Sequence, residues 1–126
     1  MNPDLYIDVD GVILYQSNEG QYLNGWLINF IIQNKMMFGK LYWLSCWTSN
    51  GSAEPLFKQF PSLKELGALP LEWRRDKTEA IDWSRPFIWI EDGVGEDERK
   101  EFERRAVKGQ QIWEVRAGEW SQLRRR

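Results

Sequence analysis

The feature that most constrains this chain is an apolar segment near its N-terminus that runs directly into two aspartates and a glycine. Residues 5–14 read Leu-Tyr-Ile-Asp-Val-Asp-Gly-Val-Ile-Leu. The apolar run predicts a buried β-strand, on which Asp8 and Asp10 would point to the same side. Carboxylates are costly beside Leu, Ile and Val unless a cation meets them or they take part in chemistry. A strand ending in an Asp-Gly turn is the plain interpretation, but we favour an acidic pair that converges on a metal ion or phosphoryl group, with Gly11 turning the chain sharply after it.

Composition limits the classes of protein that this chain can belong to. Its 126 residues, 42% hydrophobic and 29% charged, predict one soluble globular domain spanning 1–126. No stretch resembles a membrane span, and a net charge of −2 gives no general attraction to nucleic acid. The single cysteine, Cys46, and the lack of a signal-peptide pattern favour a cytoplasmic location. Because the chain has no histidine, Ser-His and Cys-His catalysis and His-ligated zinc are excluded.

Helical and strand-like patterns alternate along the chain. Tyr15–Gly20 is polar and predicts a turn. The apolar patterns predict these elements: a helix over 22–31 that closes near Gly39, a strand over 41–44, short helices over 52–60 and 62–66, a brief strand over 69–73, a helix capped by Asp76 in an Asp-x-x-Glu box, a strand over 87–90, a charged helix over 96–107 and a last strand over 112–115. Such alternation predicts an α/β fold, a Rossmann-like three-layer sandwich with a parallel sheet of about five strands.

Polar residues stand where the other predicted strands end, which is where parallel sheets bind ligands. Ser45 follows the strand over 41–44, and Glu91 and Asp92 follow the strand over 87–90. Lys77 stands in the first turn of the helix that precedes the latter strand. Each also has a plain interpretation: a polar loop for Ser45, a solvated side chain for Lys77, and an acidic turn without a role for Glu91 and Asp92. The arrangement in sequence favours the functional interpretation.

Together these four motifs, over Leu5 to Asp97, resemble the haloacid dehalogenase (HAD) superfamily. Its first motif is a hydrophobic strand ending in Asp-x-Asp-Gly-Val, its second a strand ending in Ser or Thr, its third a Lys at a helix start, and its fourth an acidic pair. The family usually has Asp at the first acidic position, where this chain has Glu91. The stretch 76–93 also resembles small HAD-like domains found alone or in bacterial and phage RNA-repair proteins.

The resemblance implies a phosphohydrolase that works through an aspartyl-phosphate. Asp8 would be the nucleophile, and Asp10 the general acid that protonates the leaving oxygen and then activates water. Ser45 would donate a hydrogen bond to a phosphoryl oxygen. Lys77 would neutralise the charge of the nucleophile and the phosphoryl group.

The resemblance also implies a Mg²⁺ ion. Asp8, the backbone carbonyl of Asp10, and Glu91 or Asp92 would bind it, which gives the all-oxygen ligand set that this ion prefers. The choice between Glu91 and Asp92 stays open, with Asp97 as a further contributor.

Short spacing between the motifs predicts a site without a cap domain, walled by Tyr15–Gly20 and by the segment after Trp47. Such a site would accept a nucleotide, a nucleic-acid end or another accessible phosphomonoester. Gly11, Trp47 and Thr48 are the expected substrate contacts, Trp47 by stacking on a base. The alternative function is a catalytically weak HAD-like binding or regulatory module. A phosphotransferase or mutase is less favoured, because such enzymes generally need a cap to exclude water.

Overall fold

The computed structural model describes residues 1–115, which contain seven strands and three α-helices. The sequence ends in three arginines, Arg124–Arg126, for which we expect a solvated charged segment rather than a phosphate contact; they lie outside these residues. The strands are β1 (Asp4–Ile7), β2 (Leu14–Ser17), β3 (Gly20–Leu23), β4 (Leu41–Trp43), β5 (Leu69–Pro70), β6 (Phe87–Glu91) and β7 (Gln110–Glu114). The α-helices are α1 (Gly25–Gln33), α2 (Glu54–Gln59) and α3 (Glu96–Arg105). Single 3-10 turns or short 3-10 helices occupy Lys35–Met37, Cys46–Thr48, Pro61–Leu66 and Lys77–Ala80.

A five-stranded parallel sheet in the order β5-β4-β1-β6-β7 organises the molecule. The central strand β1 pairs with β4 on one side and β6 on the other, so that Ile7 lies opposite both Trp43 and Ile90. From β1 the chain first builds the sheet outward through β4 and β5, and then crosses back to build β6 and β7 on the other side. The crevice beyond the carboxyl ends of β1 and β6 is therefore a topological switch point, the usual ligand position in open α/β sheets.

Alternate side chains of β1 and β6 enter two separate apolar layers, as the period of a strand requires. One layer combines Leu5, Ile7, Ile88 and Ile90 with residues of α1, α2 and the 3-10 helix Pro61–Leu66. The other combines Tyr6, Phe87 and Trp89 with Phe102 of α3. Helical elements thus cover both faces of the sheet, and the predicted α/β class, five-stranded parallel sheet and three layers are confirmed.

The turn predicted over Tyr15–Gly20 is present but covers only Asn18 and Glu19, and the prediction of a helix from Tyr22 is wrong. Strands β2 and β3 form an antiparallel hairpin, in which Tyr15 pairs with Tyr22 and their ring centroids lie 5.3 Å apart. Two apolar residues at the end of β3 happened to extend the helical pattern of the residues that follow. Helix α1 begins only at Gly25, where the Asn24 side chain accepts a hydrogen bond from the main-chain N–H of Leu27 at 3.1 Å.

Other predicted elements are present but shorter. The strand predicted over 69–73 contains only Leu69–Pro70, and the charged helix ends at Arg105. The helix after Asp76 is a single 3-10 turn, Lys77–Ala80, although its predicted capping box is formed with Glu79. None of the helices in residues 1–115 has the length and apolar character needed to cross a bilayer.

Candidate active site

The carboxyl edge of the sheet brings together residues from four separate parts of the chain. Asp8 follows β1, Ser45 comes two residues after β4, and Glu91 is the last residue of β6. The main-chain N–H of Asp8 donates to the Ile90 carbonyl at 3.1 Å, which continues the β1–β6 ladder and fixes Asp8 beside Glu91. Lys77 opens the 3-10 turn that leads towards β6. The predicted convergence of the four motifs is therefore present.

Lys77 lies between the two buried acids. Its Nζ is 3.1 Å from Asp8 Oδ1 and 2.6 Å from Glu91 Oε2. All three side chains are at most 10% exposed. One ammonium group thus serves two carboxylates in a region of low dielectric, where an unpaired charge is costly.

The pKa values of these groups are displaced by burial and by one another. Burial raises the pKa of Asp8 above its ordinary value, although the neighbouring Lys77 ammonium opposes the rise. Burial and the Asp8 carboxyl raise the pKa of Glu91, again against the effect of Lys77. Burial lowers the pKa of Lys77, but the two carboxylates raise it by more, so the net direction is upward. Lys77 therefore stays cationic, while the two acids compete for too little positive charge.

A third carboxylate completes an acidic cluster at this point. Asp8, Glu91 and Asp92 each offer an oxygen, and these oxygens lie within 4.8 Å of one another. When all are ionised, three carboxylates and one ammonium leave two negative charges, which one divalent cation balances. An all-oxygen set with this charge fits a hard cation such as Mg²⁺. The residues present therefore fit the predicted ion.

Gly11 has a structural reason to be glycine. Its φ angle is +77°, and a Cβ at this position would overlap the Asp92 carboxylate. The turn after Asp10 can therefore approach Asp92 only because position 11 has no side chain. The predicted contact of Gly11 with a substrate remains a prediction.

Asp8 and Asp10 do not extend from one strand as predicted. Strand β1 ends at Ile7, and the Val9 carbonyl accepts the main-chain N–H groups of residues 12, 13 and 14 in a tight turn. Asp8 consequently lies buried, whereas Asp10 is exposed at the rim of the site. The Asp10 carboxylate is not part of the acidic cluster found among the described residues, and the prediction for its backbone carbonyl stays a prediction.

Trp47 contacts Asp10. Its indole Nε1 donates to Asp10 Oδ1 at 3.1 Å, and its ring packs edge-on against Phe60 with centroids 6.1 Å apart. The side chain is half-buried and joins the larger apolar layer. The ring is thus already supported by the protein on one side and bound to Asp10 at its polar edge.

Two hydroxyl groups after β4 have different surroundings. Ser45 Oγ accepts the main-chain N–H of Trp47 at 3.1 Å, which leaves the Ser45 hydroxyl hydrogen available for donation. Thr48 is fully buried, and its hydroxyl donates to the Ser45 carbonyl at 3.3 Å. The predicted contact of Ser45 with a phosphate remains a prediction, and the Thr48 hydroxyl is engaged by the backbone.

Two residues not singled out from the sequence support the site. Glu98 of α3 accepts the main-chain N–H of Lys77 at 3.0 Å and that of Gly95 at 3.3 Å, which joins α3 to the Lys77 turn. Trp73 donates from Nε1 to the Ser45 carbonyl at 3.1 Å, and Lys77 Nζ lies 5.9 Å from the centre of its ring. Glu98 stands three residues after the N-cap Gly95, which is the spacing of a capping box. Glycine lacks the side chain that usually marks the start of this motif in a sequence, so the spacing was not recognised.

Neither a protein-family model, nor a curated protein, nor a solved structure matches this chain. The functional interpretation therefore depends on the chemistry of the site.

Proposed function

We propose that this protein is a Mg²⁺-dependent phosphohydrolase of the HAD type that acts on phosphomonoesters through Asp8. One observation carries the proposal: a buried aspartate at a topological switch point shares a lysine with a second buried acid and has a third acid within ligand distance. Such an arrangement holds a carboxylate nucleophile beside the positive charge that a phosphate needs in order to approach it.

The proposed reaction has two displacement steps. A carboxylate oxygen of Asp8 attacks phosphorus in line, the bond to the leaving oxygen breaks, and Asp10 gives that oxygen its proton. Water then attacks phosphorus, Asp10 takes back a proton from the water, and the bond between Asp8 and phosphorus breaks. Ser45 and Lys77 contribute a hydrogen bond and a positive charge to the phosphoryl oxygens in both steps.

Asp8, Glu91 and Asp92 would hold the ion. When bound, Mg²⁺ supplies positive charge that offsets the negative charges of the phosphate and the acidic cluster. Glu91 Oε2 already contacts Lys77, and Glu91 Oε1 accepts the main-chain N–H of Asp92 at 3.2 Å. The exposed Asp92 carboxylate makes no hydrogen bond within residues 1–115, so we propose Asp92 as the stronger ligand.

The proposed substrate is a nucleotide, a nucleic-acid end or another accessible phosphomonoester. Asp10 and Asp92 are both exposed at the rim of the site. Between Asp8 and β4 the chain forms the β2–β3 hairpin, α1 and one 3-10 turn, and between Ser45 and Lys77 it forms only short helical elements and β5. These elements support the proposal of an enzyme without a cap domain.

The test is Mg²⁺-dependent hydrolysis of para-nitrophenyl phosphate, nucleotides, and oligonucleotides with 3′- or 5′-phosphates. Wild type should hydrolyse at least one class of substrate and lose activity with EDTA, and Asp8→Asn should be inactive. Asp82→Asn is the matched control, because Asp82 is exposed and bonds Ser84 rather than the site. A folded wild-type protein that hydrolyses none of these substrates would contradict the proposal and support the binding-module alternative.

A further inference from the structure

One residue, Trp47, contacts two of the groups to which the proposed reaction assigns roles. Its side-chain Nε1 donates to Asp10 Oδ1, and its main-chain N–H donates to Ser45 Oγ, both at 3.1 Å. It lies in the 3-10 turn Cys46–Thr48, which follows β4. Trp47 thus links the segment that follows strand β4 to the exposed Asp10.

The side chains of Trp47 and Asp10 differ in conformational freedom. Trp47 is half-buried against the larger apolar layer and Phe60, so packing fixes the direction of its N–H group. Asp10 is exposed and stands directly before the turn at Gly11. An exposed aspartate otherwise exchanges among several rotamers, and each unproductive rotamer lowers the fraction of enzyme ready to transfer a proton.

We propose that Trp47 is a positioning residue that holds the Asp10 carboxyl in its working orientation; this inference rests on the proposed function. An indole N–H can only donate a hydrogen bond, so Oδ1 acts as the acceptor and the transferable proton resides on Oδ2. As phosphorus bonds to Asp8 and its bond to the leaving oxygen breaks, the proton on Oδ2 moves to that oxygen. Oδ2 regains a proton from the attacking water in the second step.

The second contact of Trp47 acts on Ser45. Because Ser45 Oγ accepts the main-chain N–H of Trp47, the serine hydroxyl directs its only hydrogen to another acceptor, which is a phosphoryl oxygen in the proposed reaction. The contact comes from the backbone, so replacing the Trp47 side chain leaves it in place. The side-chain role can therefore be tested separately.

The decisive variant is Trp47→Phe, which keeps an aromatic ring against Phe60 and removes the N–H donor. Alkyl phosphates need the proton from Asp10 more than para-nitrophenyl phosphate does, because their leaving groups are poorer. We expect kcat/KM for glycerol 2-phosphate to fall about 10-fold, as for the loss of one hydrogen bond, and that for para-nitrophenyl phosphate to fall much less. In an Asp10→Asn background, Trp47→Phe should cause no further loss.

Trp113→Phe is the matched control, since Trp113 is also half-buried but donates to Gln111 within β7. Its ratio of activities on the two substrates should equal that of wild type. If Trp47 instead serves only to stack on a base, Trp47→Phe should raise KM for nucleotides and leave hydrolysis of glycerol 2-phosphate unchanged, a result that would overturn the positioning role.

A spectroscopic measurement tests the contact without any need for turnover. The ¹H–¹⁵N spectrum of the indole groups should contain a Trp47 resonance, identified by its loss in Trp47→Phe. This resonance should move upfield in Asp10→Ala, a substitution at an exposed position that leaves the core intact. If none of the indole resonances moves in Asp10→Ala, the proposal is overturned, and this reading needs no assignment from Trp47→Phe.

The outcomes separate this inference from the proposed function. A folded wild-type protein without turnover contradicts the proposed function, and the contact is then judged by the Trp47 resonance alone. An active wild type whose Trp47→Phe variant loses equally on both substrates, or whose losses multiply with those of Asp10→Asn, leaves the phosphohydrolase in place and overturns the positioning role.

Discussion

The two ends of strand β1 each carry a buried aspartate, and comparing them separates a structural ion pair from a candidate reactive one. Asp4 and Asp8 are 1% and 4% exposed. At the first end, Asp4 Oδ2 accepts from Arg85 Nε at 2.8 Å, and Oδ1 accepts from Arg85 Nη2 at 3.2 Å and from the main-chain N–H of Lys40 at 2.9 Å. One carboxylate there meets one guanidinium in a two-point contact, and its charge is fully matched.

At the second end the charges do not match. Asp8 shares the Lys77 ammonium with Glu91, and Asp92 adds a third carboxylate to the cluster. The fold would be more stable if each buried acid had its own cation, since like charges repel in a region of low dielectric. Burial alone therefore does not reveal a functional acid. A candidate functional acid is revealed instead by buried negative charge that the protein's own cations do not neutralise, because a ligand can supply the missing positive charge.

The largest expected effect comes from Asp8→Asn. An amide is a poor nucleophile and a poor metal ligand, so kcat/KM should fall by at least about 10³-fold, as for other catalytic nucleophiles. The free energy of unfolding should stay constant or rise, because one of two competing carboxylates is gone. Steady-state kinetics and urea denaturation check both parts. A large loss of stability with intact activity would contradict the catalytic role of Asp8 and indicate a structural role instead.

Asp4→Asn should show the opposite pattern. It leaves the Arg85 guanidinium without its counter-charge and should lower the free energy of unfolding by about 2 kcal/mol, below the range for fully buried pairs because Arg85 is 33% exposed. Specific activity of the folded protein at low temperature should match that of wild type. Urea denaturation and hydrolysis of para-nitrophenyl phosphate are measured on the same preparation. A loss of activity without a loss of stability would contradict the structural role assigned to Asp4.

Mg²⁺ should distinguish the two ends by its effect on stability. Binding to the native state raises the free energy of unfolding by about 2.7 kcal/mol at a concentration 100 times the dissociation constant. Thermal denaturation should show this shift in wild type and in Asp4→Asn, but little of it in Asp92→Asn. A larger loss in Glu91→Gln than in Asp92→Asn would make Glu91 the stronger ligand. A wild type that is insensitive to both Mg²⁺ and Mn²⁺ would remove the metal from the proposal.

The smallest expected effect is at Glu79, an exposed acid that supports the turn carrying Lys77. Its carboxylate accepts the main-chain N–H groups of Asp76, Arg74 and Arg75, which lower the pKa of Glu79 below its ordinary value. Its contribution to stability is therefore present above the pKa of the unfolded state and is lost as pH falls through the folded-state pKa. The difference in Tm between wild type and Glu79→Gln should shrink as pH falls across the acidic range. A difference that is independent of pH would mean that the charge of Glu79 is irrelevant.

The sequence predicts the parts of this molecule that depend on local pattern. Short apolar runs locate β1, β4 and β6, and parallel strands bring their ends together, so the convergence of Asp8, Ser45 and Glu91 follows from the alternation of elements alone. Local pattern also gave a wrong start for helix α1, since Tyr22 and Leu23 fit a helical stripe but belong to the β2–β3 hairpin.

The remaining features depend on contacts between distant parts of the chain. The Trp47–Asp10 and Lys77–Glu98 hydrogen bonds join residues separated by 37 and 21 positions, and no local signal marks either pair. The matched charge of Asp4 is equally hidden, because Arg85 is 81 positions away. Whether a buried acid is neutralised is thus a property of the tertiary structure rather than of its own segment.

The central place of β1 in the sheet has a consequence for how the molecule tolerates motion. Within residues 1–115, β1 has a hydrogen-bonded neighbour on each side, whereas β5 and β7 form the edges of the sheet and the β2–β3 hairpin forms a separate two-stranded sheet. Edges and hairpins open in local fluctuations that cost little free energy, but a central strand exchanges its amide hydrogens only when most of the fold is lost. The proposed nucleophile is therefore attached to one of the last segments of the protein to open, so its environment can persist while the periphery fluctuates.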